Sequence, residues 1–495
     1  MTTTTAAPAH RVVRAATVAT FLAFVASGVA FASWASRIPQ IRDQLHLSPS
    51  ALGLVLLSVS VGSMTALPLS GPIVGRFGTR RTTATAAVLF GVGLAVVAIG
   101  SLVGVAPVVI GLVVIGAAMA AWDVAMNVHG TALEHRLSRS VLPRFHAGFS
   151  VGSVAGALIG TAMVALHVPV AAHLATIAAA VAVAVPVTAR RFLADRGPLR
   201  RQSRRSEQRR SSGQSWPPEQ DRPEEQYQPE QDQPEEQGRP HEQDRRDEQD
   251  RRDKQDRPDE QDRPEDQDRR PGRRRLRWDG RLPQRAPAGG LLTGWRERRT
   301  LLIGLFVLAF TFAEGAGTDW IGVAAIDGHG ATAPVATLAF AAFLGAMTLG
   351  RWFGPPLIDR YGRVPVVRAF TLTGCAGAAL FVAAPAVPIA VAGAVLWGVG
   401  IALGFPVGMS AAGDDPAAAA GRVSVISTIG YSGFLVGAPA LGVLGQHVTV
   451  LRALITVAAL LAVAAMSTAV VRPDTPRRGP AGATAPRRSW TGGTG

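Results

Sequence analysis

The sequence predicts an all-α membrane protein with twelve transmembrane helices in two six-helix bundles, joined by a long charged connector. Three observations carry that reading. Two apolar blocks, roughly residues 12 to 192 and 299 to 471, are each long enough for about six spans. The stretch between them is too charged to enter a bilayer. Short signatures also recur at matching places in the two blocks, as a duplicated unit requires.

Composition narrows the function classes. Of 495 residues, 48% are apolar, and they are concentrated in the two blocks rather than spread as soluble domains would need. The net charge of +15 comes from arginines in the connector, the tail and short loops, not along an amphipathic face. That places the charge against a membrane surface and argues against nucleic acid as a partner. The single cysteine, Cys375, lies inside an apolar span, which rules out an intrachain disulfide and a cysteine-rich metal site. No cofactor and no metal is expected.

In chain order, the candidate spans are 13–36, 50–72, 82–103, 107–131, 145–166, 169–191, 300–326, 332–357, 364–384, 387–411, 423–446 and 449–471. Only helices fit, because a segment in lipid must satisfy its own backbone hydrogen bonds. The first span follows His10, Arg11 and Arg14 as a signal peptide would, but its length and the spans after it mark it as a retained helix. Arg76, Arg80 and Arg81 follow the second span, Arg136, Arg139 and Arg144 the fourth, and Arg360, Arg363 and Arg368 the eighth. The intervening loops at 104–106 and 385–387 contain no Arg or Lys. By the positive-inside rule, the Arg-bearing loops, the connector and both termini are expected in the cytoplasm, with the protein in the plasma or inner membrane. Arg37 and Arg42, after the first span, and Arg452 near the C-terminus fit that rule less well.

Domains are thus expected at 1–192 and 299–471, with a connector at 193–298 and a tail at 472–495. The connector repeats a short unit, as in Glu242-Gln-Asp-Arg-Arg246 and Glu260-Gln-Asp-Arg-Pro264. With almost no apolar residues it cannot offset the entropy of ordering, so connector and tail are expected to be disordered. The connector's basic flanks, Arg200 to Arg210 and Arg269 to Arg277, suit a tether resting on anionic lipid. Partner binding is the other reading.

Two loop segments match. Gly71-Pro-Ile-Val-Gly-Arg-Phe-Gly-Thr-Arg-Arg81 follows the second span and Pro355-Pro-Leu-Ile-Asp-Arg-Tyr-Gly-Arg363 the eighth, at an offset of 359 − 75 = 284. Gly148-Phe-Ser150 and Gly430-Tyr-Ser432 give 430 − 148 = 282. These residues resemble the loop signature G-x-x-x-D-R-x-G-R-[RK] of the major facilitator superfamily, and Ala32-Ser-Trp-Ala-Ser-Arg-Ile-Pro39, Phe312-Ala-Glu-Gly315 and Asp327-Gly-His-Gly330 look like a bacterial inner-membrane branch of it loosely related to fucose permeases. The resemblance implies a solute carrier that is not an enzyme, working as a monomer by alternating access. It further implies that Gly71, Arg76, Gly78, Arg80 and Arg81, with Asp359, Arg360, Gly362 and Arg363, form latch loops on the outward-facing state. The first copy has Gly75 where the acid belongs, so the latch is expected to be stronger in the C-terminal half.

Ionisable residues inside spans cost about 2.5 to 3.5 kcal/mol each and so mark cavities or partners. Asp123 and Asn127, four residues apart in the fourth span, share a helical face and form the leading cavity site. Asp123 also resembles the proton-coupling acid that fucose-permease-like proteins carry in the corresponding helix. Glu314 lies 314 − 300 = 14 residues into the seventh span, roughly 21 Å along the helix. Gly315 and Gly317 beside it are expected to let the helix loosen, and Asp319 and Trp320 follow. The bland alternative for such acids is pairing with a hydroxyl or with Arg351. A carboxyl buried in low dielectric exchanges protons nearer neutral pH than one in water, as proton coupling requires. Trp34 and Trp320, at similar depth in spans one and seven, are either interfacial anchors or platforms for a sugar or aromatic ligand. Gly152, Gly156 and Gly160 suit close helix contact, and so do Gly398, Gly400 and Gly404. His146 and Arg422 read as gate or headgroup contacts.

Lys254, in the connector, is the one lysine, so neither block holds a phosphate-binding G-x-x-x-x-G-K-[ST] loop. One proton crossing about 100 mV supplies about 2.3 kcal/mol, enough to drive accumulation. The expected function is secondary active, proton-coupled transport of a small solute. The alternative is a non-transporting membrane sensor or scaffold with the connector as its output arm.

Overall fold

The computed structural model describes residues 6–137, 141–193, 294–415 and 418–473. Most of the predicted connector and tail lies outside the described residues. Twelve helical segments are long and apolar enough to cross a membrane, and they coincide with the predicted spans. The first six are α1 (Ala6–Ala35) continued by α2 (Ile38–Gln44), then α3 (Pro49–Phe77), α4 (Thr79–Val103), α5 (Val105–Leu137), α6 (Leu142–Ala165) and α7 (Val170–Ala189). The second six begin with α8 (Arg298–His329), α9 (Ala333–Tyr361) and α10 (Arg363–Ala383). The tenth span is divided into α11 (Val387–Ile401) and α12 (Gly404–Ala412), followed by α13 (Ala419–Val448). The last comprises α14 (Val450–Ala453), α15 (Ile455–Ser467) and a 3-10 turn, Thr468–Val471.

The second and eighth spans, expected to end at 72 and 357, run further. Proline removes a helical hydrogen bond and commonly ends a helix. The helices instead run through Pro68 and Pro72 in α3, and through Pro355 and Pro356 in α9. Near lipid no other backbone partner is at hand, so losing one bond is cheaper than unwinding a turn. Both helices stop at the signature glycines, Gly78 with φ 83° and Gly362 with φ 90°. Only glycine adopts that geometry without strain, and it lets α4 and α10 start on the next residue.

The two halves repeat one packing scheme. In the first, α1 packs on α6, α3 and α4 on α5, and α4 on α7; in the second, α8 packs on α13, α9 and α10 on α11, and α10 on α15. Across the halves, α3 meets α13 and α6 meets α9. Small residues set these distances. A side chain on Gly152 would meet the backbone of Val25, one on Gly156 that of Val29, and one on Gly160 would meet Ser36, so α1 and α6 touch backbone to backbone. Gly398 likewise faces the Phe343 backbone and Gly404 the Phe310 ring.

Gly315 and Gly317 do not loosen the seventh span. Helix α8 is continuous across them, and Gly317 makes room for the Phe343 ring, which a loosened turn would lose. Interfacial anchoring fails for Trp34 and Trp320, and two further span tryptophans are buried with them. Trp122, Trp320 and Trp397 are fully buried, their indole N–H groups without a hydrogen-bond partner among the described residues, and Trp34 is 3% exposed. Helices built from Ala, Val and Gly leave space between them that a large ring fills, as where Trp397 stands edge-on to Phe343 and Phe381.

Of the three arginines that fitted the charge rule poorly, Arg452 is exposed, whereas Arg37 and Arg42 are engaged by the protein's own groups. Arg37 is 2% exposed; its Nε donates to His173 Nδ1 at 2.9 Å and its Nη2 to the Val168 carbonyl at 3.1 Å. Arg42 pairs with Asp43 and, across the halves, with Asp327. Neither is a free surface charge. Arg422 is no headgroup contact either: its Nε and Nη2 donate to Glu297 at 2.8 and 2.7 Å. Burial works against the Glu297 charge. Hydrogen bonds from Thr300 and Arg422, with the charges of Arg422 and Arg299, outweigh it and hold the carboxyl below its usual range.

Candidate functional site

A cavity of about 1010 Å³ lies between the halves. At one end, the end opposite the Gly78 and Gly362 turns, contacts across the halves close it. Arg42 Nη2 bonds Asp327 Oδ1 at 2.9 Å, Ser50 Oγ lies 3.4 Å from Gln446 Oε1, and Ser60 Oγ 3.4 Å from the Phe434 carbonyl. Pro39 abuts Gly322, and α13 presents the Ala438 carbonyl to Gly53. Toward the Gly78 end the lining reaches Pro143 and Arg144 in the first turn of α6, and the exposed Trp352. The cavity therefore opens at that end.

Asp123, Glu314, Asp319 and Trp34 all line this cavity. Asn127 stands directly behind Asp123: its Nδ2 donates to Asp123 Oδ1 at 3.0 Å. Its own Oδ1 lies 3.0 Å from His146 Nε2. Since the amide nitrogen is used on Asp123, the oxygen faces the imidazole and His146 Nε2 donates. Helices α5 and α6 thus hold a carboxylate, an amide and an imidazole in series on one wall. On the opposite half, Arg351 Nη2 donates to both Glu314 oxygens, at 3.0 and 2.9 Å, which ties α9 to α8. Asp319 makes no hydrogen bond or ion pair among the described residues. Trp320 is not on the cavity wall: one position on from Asp319, it turns into the core at 0% exposure, so it cannot serve as a platform for a ligand.

His146 was read as a gate contact, and the structure makes it a cavity residue. The signal was present: Pro143, His146, Ala147, Ser150 and Ser153 recur at helical spacing and all line the cavity. Arg351, considered only as a neutralising neighbour, is also a wall residue. Tyr431 also lines the cavity; the sequence places it in the repeated Gly430-Tyr-Ser432 segment, which marks a duplication but not a cavity position.

The residues expected to form latch loops sit at the open end. Gly71, Arg76, Arg80 and Arg81 are exposed, Arg76 lying 5.6 Å from its neighbour Phe77's ring centroid and Arg360 5.2 Å from that of Tyr361. Asp359 makes no hydrogen bond or ion pair among the described residues. Arg363 instead grips Asp414 at 2.9 Å and Ser410 Oγ at 3.2 Å, within its own half.

The clasp at the closed end gives a test of which contacts hold it. Asp327→Asn removes a partly exposed pair, for which about 1 kcal/mol is the upper range, or roughly a fivefold change in the closed-to-open ratio. In a Cys375→Ala background, a cysteine at Ser50 should then react severalfold faster with a membrane-impermeant maleimide. An unchanged rate would mean that helix packing alone seals this end.

Comparison with known proteins adds three findings. The profile described as Major Facilitator Superfamily matches residues 17–314, more than half of the chain. An uncharacterized MFS-type transporter of Yersinia pestis, YPO1221/y2967, is 27% identical over 458 residues, which is 92% of this chain and 96% of that one. Among solved structures, the nucleoside transporter NupG superposes with a TM-score of 0.62 at 12% identity, over 92% of this chain and 98% of its own. The E. coli fucose:proton symporter FucP (N162A) gives 0.52 at 14%, over 92% and 98%.

Proposed function

Because the chain belongs to the major facilitator superfamily and is a multi-pass membrane transporter, not an enzyme, we propose that it carries a small polar or amphipathic solute by alternating access, coupled to protons through Asp123. The observation that carries this reading is the series Asp123, Asn127 and His146 on the wall of a cavity open at one end. A carboxyl that faces water in one state and is sealed in the other can load a proton on one side and release it on the other. Asn127 Nδ2, by donating to Asp123, steadies the deprotonated carboxylate, and His146 Nε2 fixes the orientation of that amide. The likeness to a fucose:proton symporter supports the same reading. Glu314 is the second candidate, and it ranks lower because Arg351 already neutralises it.

The protein sits in the plasma or inner membrane as a monomer, with the Arg-bearing loops and both termini in the cytoplasm. The cavity then faces the cytoplasm, and the unpaired Asp359 suits a latch released in that state. In proteoliposomes, an imposed pH gradient should drive solute accumulation by the wild type. Asp123→Asn should abolish accumulation, a loss of tenfold or more, while solute exchange without a gradient survives. Normal accumulation by Asp123→Asn would remove Asp123 from the coupling step.

A further inference from the structure

Three carboxylates line the cavity, and two of them are answered by this chain's own groups. Asp123 accepts from Asn127 and Glu314 is paired with Arg351. Asp319 has no ion pair and no hydrogen bond among the described residues, although it lies well inside the protein. Helix α8 places it: Gly315, Thr318, Asp319 and Gly322 follow one helical face, and Gly322 abuts Pro39 where the halves meet. Asp319 therefore sits about one turn, roughly 4.5 Å, inside the closed end. The bases of the cavity lie elsewhere. Arg144 and His146 belong to the first two turns of α6 toward the open end, and Arg351 is engaged by Glu314.

The cavity walls are largely apolar and aromatic, with Phe31 and Trp34 near the end of α1 at the closed end and Phe149, Phe434, Met119 and Met347 further along. The lining hydroxyls of Ser60, Ser63, Ser153 and Thr318 donate to the carbonyls of Phe434, Gly116, Phe149 and Glu314. A neutral polyol would need several converging donors, and at this end those hydroxyl protons are already engaged by the backbone. What it offers is one uncompensated negative charge, ring faces that attract cations, and flexible thioethers that fit irregular apolar shapes.

We propose that Asp319 anchors the positively charged nitrogen of an amphipathic organic cation, whose apolar body lies against the aromatic and methionine walls. The proposal rests on the transporter reading and names its substrate class. A bound ammonium supplies the counter-charge that the fold leaves out, through a charge-assisted hydrogen bond in a site largely shielded from water. Selectivity for cations over neutral isosteres follows.

The test uses the full chain in lipid nanodiscs and two probes of one shape, phenethylammonium and 2-phenylethanol. Calorimetry should show the ammonium binding at least tenfold tighter than the alcohol. Asp319→Asn should remove that preference while alcohol binding persists, which also reports that the variant is folded, and Asp319→Glu should retain it. Equal binding of the two probes by the wild type, no binding of the ammonium, or an undiminished preference in Asp319→Asn would each overturn the proposal. Counterflow of labelled phenethylammonium in proteoliposomes separates this from the transporter reading. Binding with Asp319-dependent preference but no flux upholds the anchor and defeats transport. Flux of neutral solutes without ammonium binding defeats the anchor and leaves transport standing.

Discussion

Gly156→Leu is expected to leave no monodisperse protein after detergent extraction. A Cβ built on Gly156 meets the Val29 carbonyl group and Cα, with the Cα 2.9 Å away, and all of these atoms are backbone. A side chain can rotate out of the way of an added group, but a helix backbone can only retreat as a whole. Gly152 and Gly160 continue the same seam, so a retreat large enough for leucine opens the α1–α6 contact along several turns. Overpacking of a flexible core costs about 1 to 3 kcal/mol, and losing this contact adds to that, so the total should exceed about 4 kcal/mol, the range in which marginally stable proteins fail to fold. Gly345→Leu is the matched control, since nothing lies within 4 Å of its added carbon. Size-exclusion profiles of the two variants decide the matter, and a normal peak for Gly156→Leu would mean that the helices can re-space freely.

That seam was readable in the sequence, and most of the architecture was readable for the same reason. Span number, span order and the duplicated loops depend on one-dimensional quantities: the length of an apolar run, a glycine every fourth residue, an arginine on alternate loops. The tenth span shows the limit. Its break at Ala402–Leu403 occurs where Gly404 meets the Phe310 ring, a contact between residues some ninety positions apart that no local pattern announces. The cavity divides the same way. Asp123, Glu314 and Asp319 stood out because charge is rare in these spans, Asn127 because it lies one turn from Asp123, and the fold brings the three acids to the lining of one cavity. His146 was set aside because it lay near a charged helix start, and Trp320 was misplaced because depth along a helix was known but rotation about it was not. Arg37 and Arg42 looked like topology errors for a related reason. Counting charges cannot tell a surface arginine from one held by His173 and the Val168 carbonyl, or by Asp327.

Arg351→Met should destabilise the protein far more than the double variant Glu314→Gln/Arg351→Met. The pair joins α8 to α9 through both carboxylate oxygens, and its side chains are 29% and 23% exposed. Removing one partner of a fully buried pair costs roughly 3 to 5 kcal/mol, because the other charge is left uncompensated in a medium that solvates it poorly. Water in the open cavity reaches this pair, so about 2 to 3 kcal/mol is the expected cost here. Replacing both charges leaves none to solvate, and such replacements are close to neutral elsewhere. The Nε of Arg351 is already buried without a partner among the described residues, so the native arrangement is not optimised for stability. In thermal unfolding the single variant should therefore melt several degrees below the wild type, with the double variant recovering most of the difference. The double variant should also keep solute exchange if the pair is structural, and lose it if a charge at this depth takes part in the carrier's cycle. Equal melting of single and double variants would show that Glu314 is solvated well enough to stand alone, and it would then rank beside Asp123 as a group free to take up a proton.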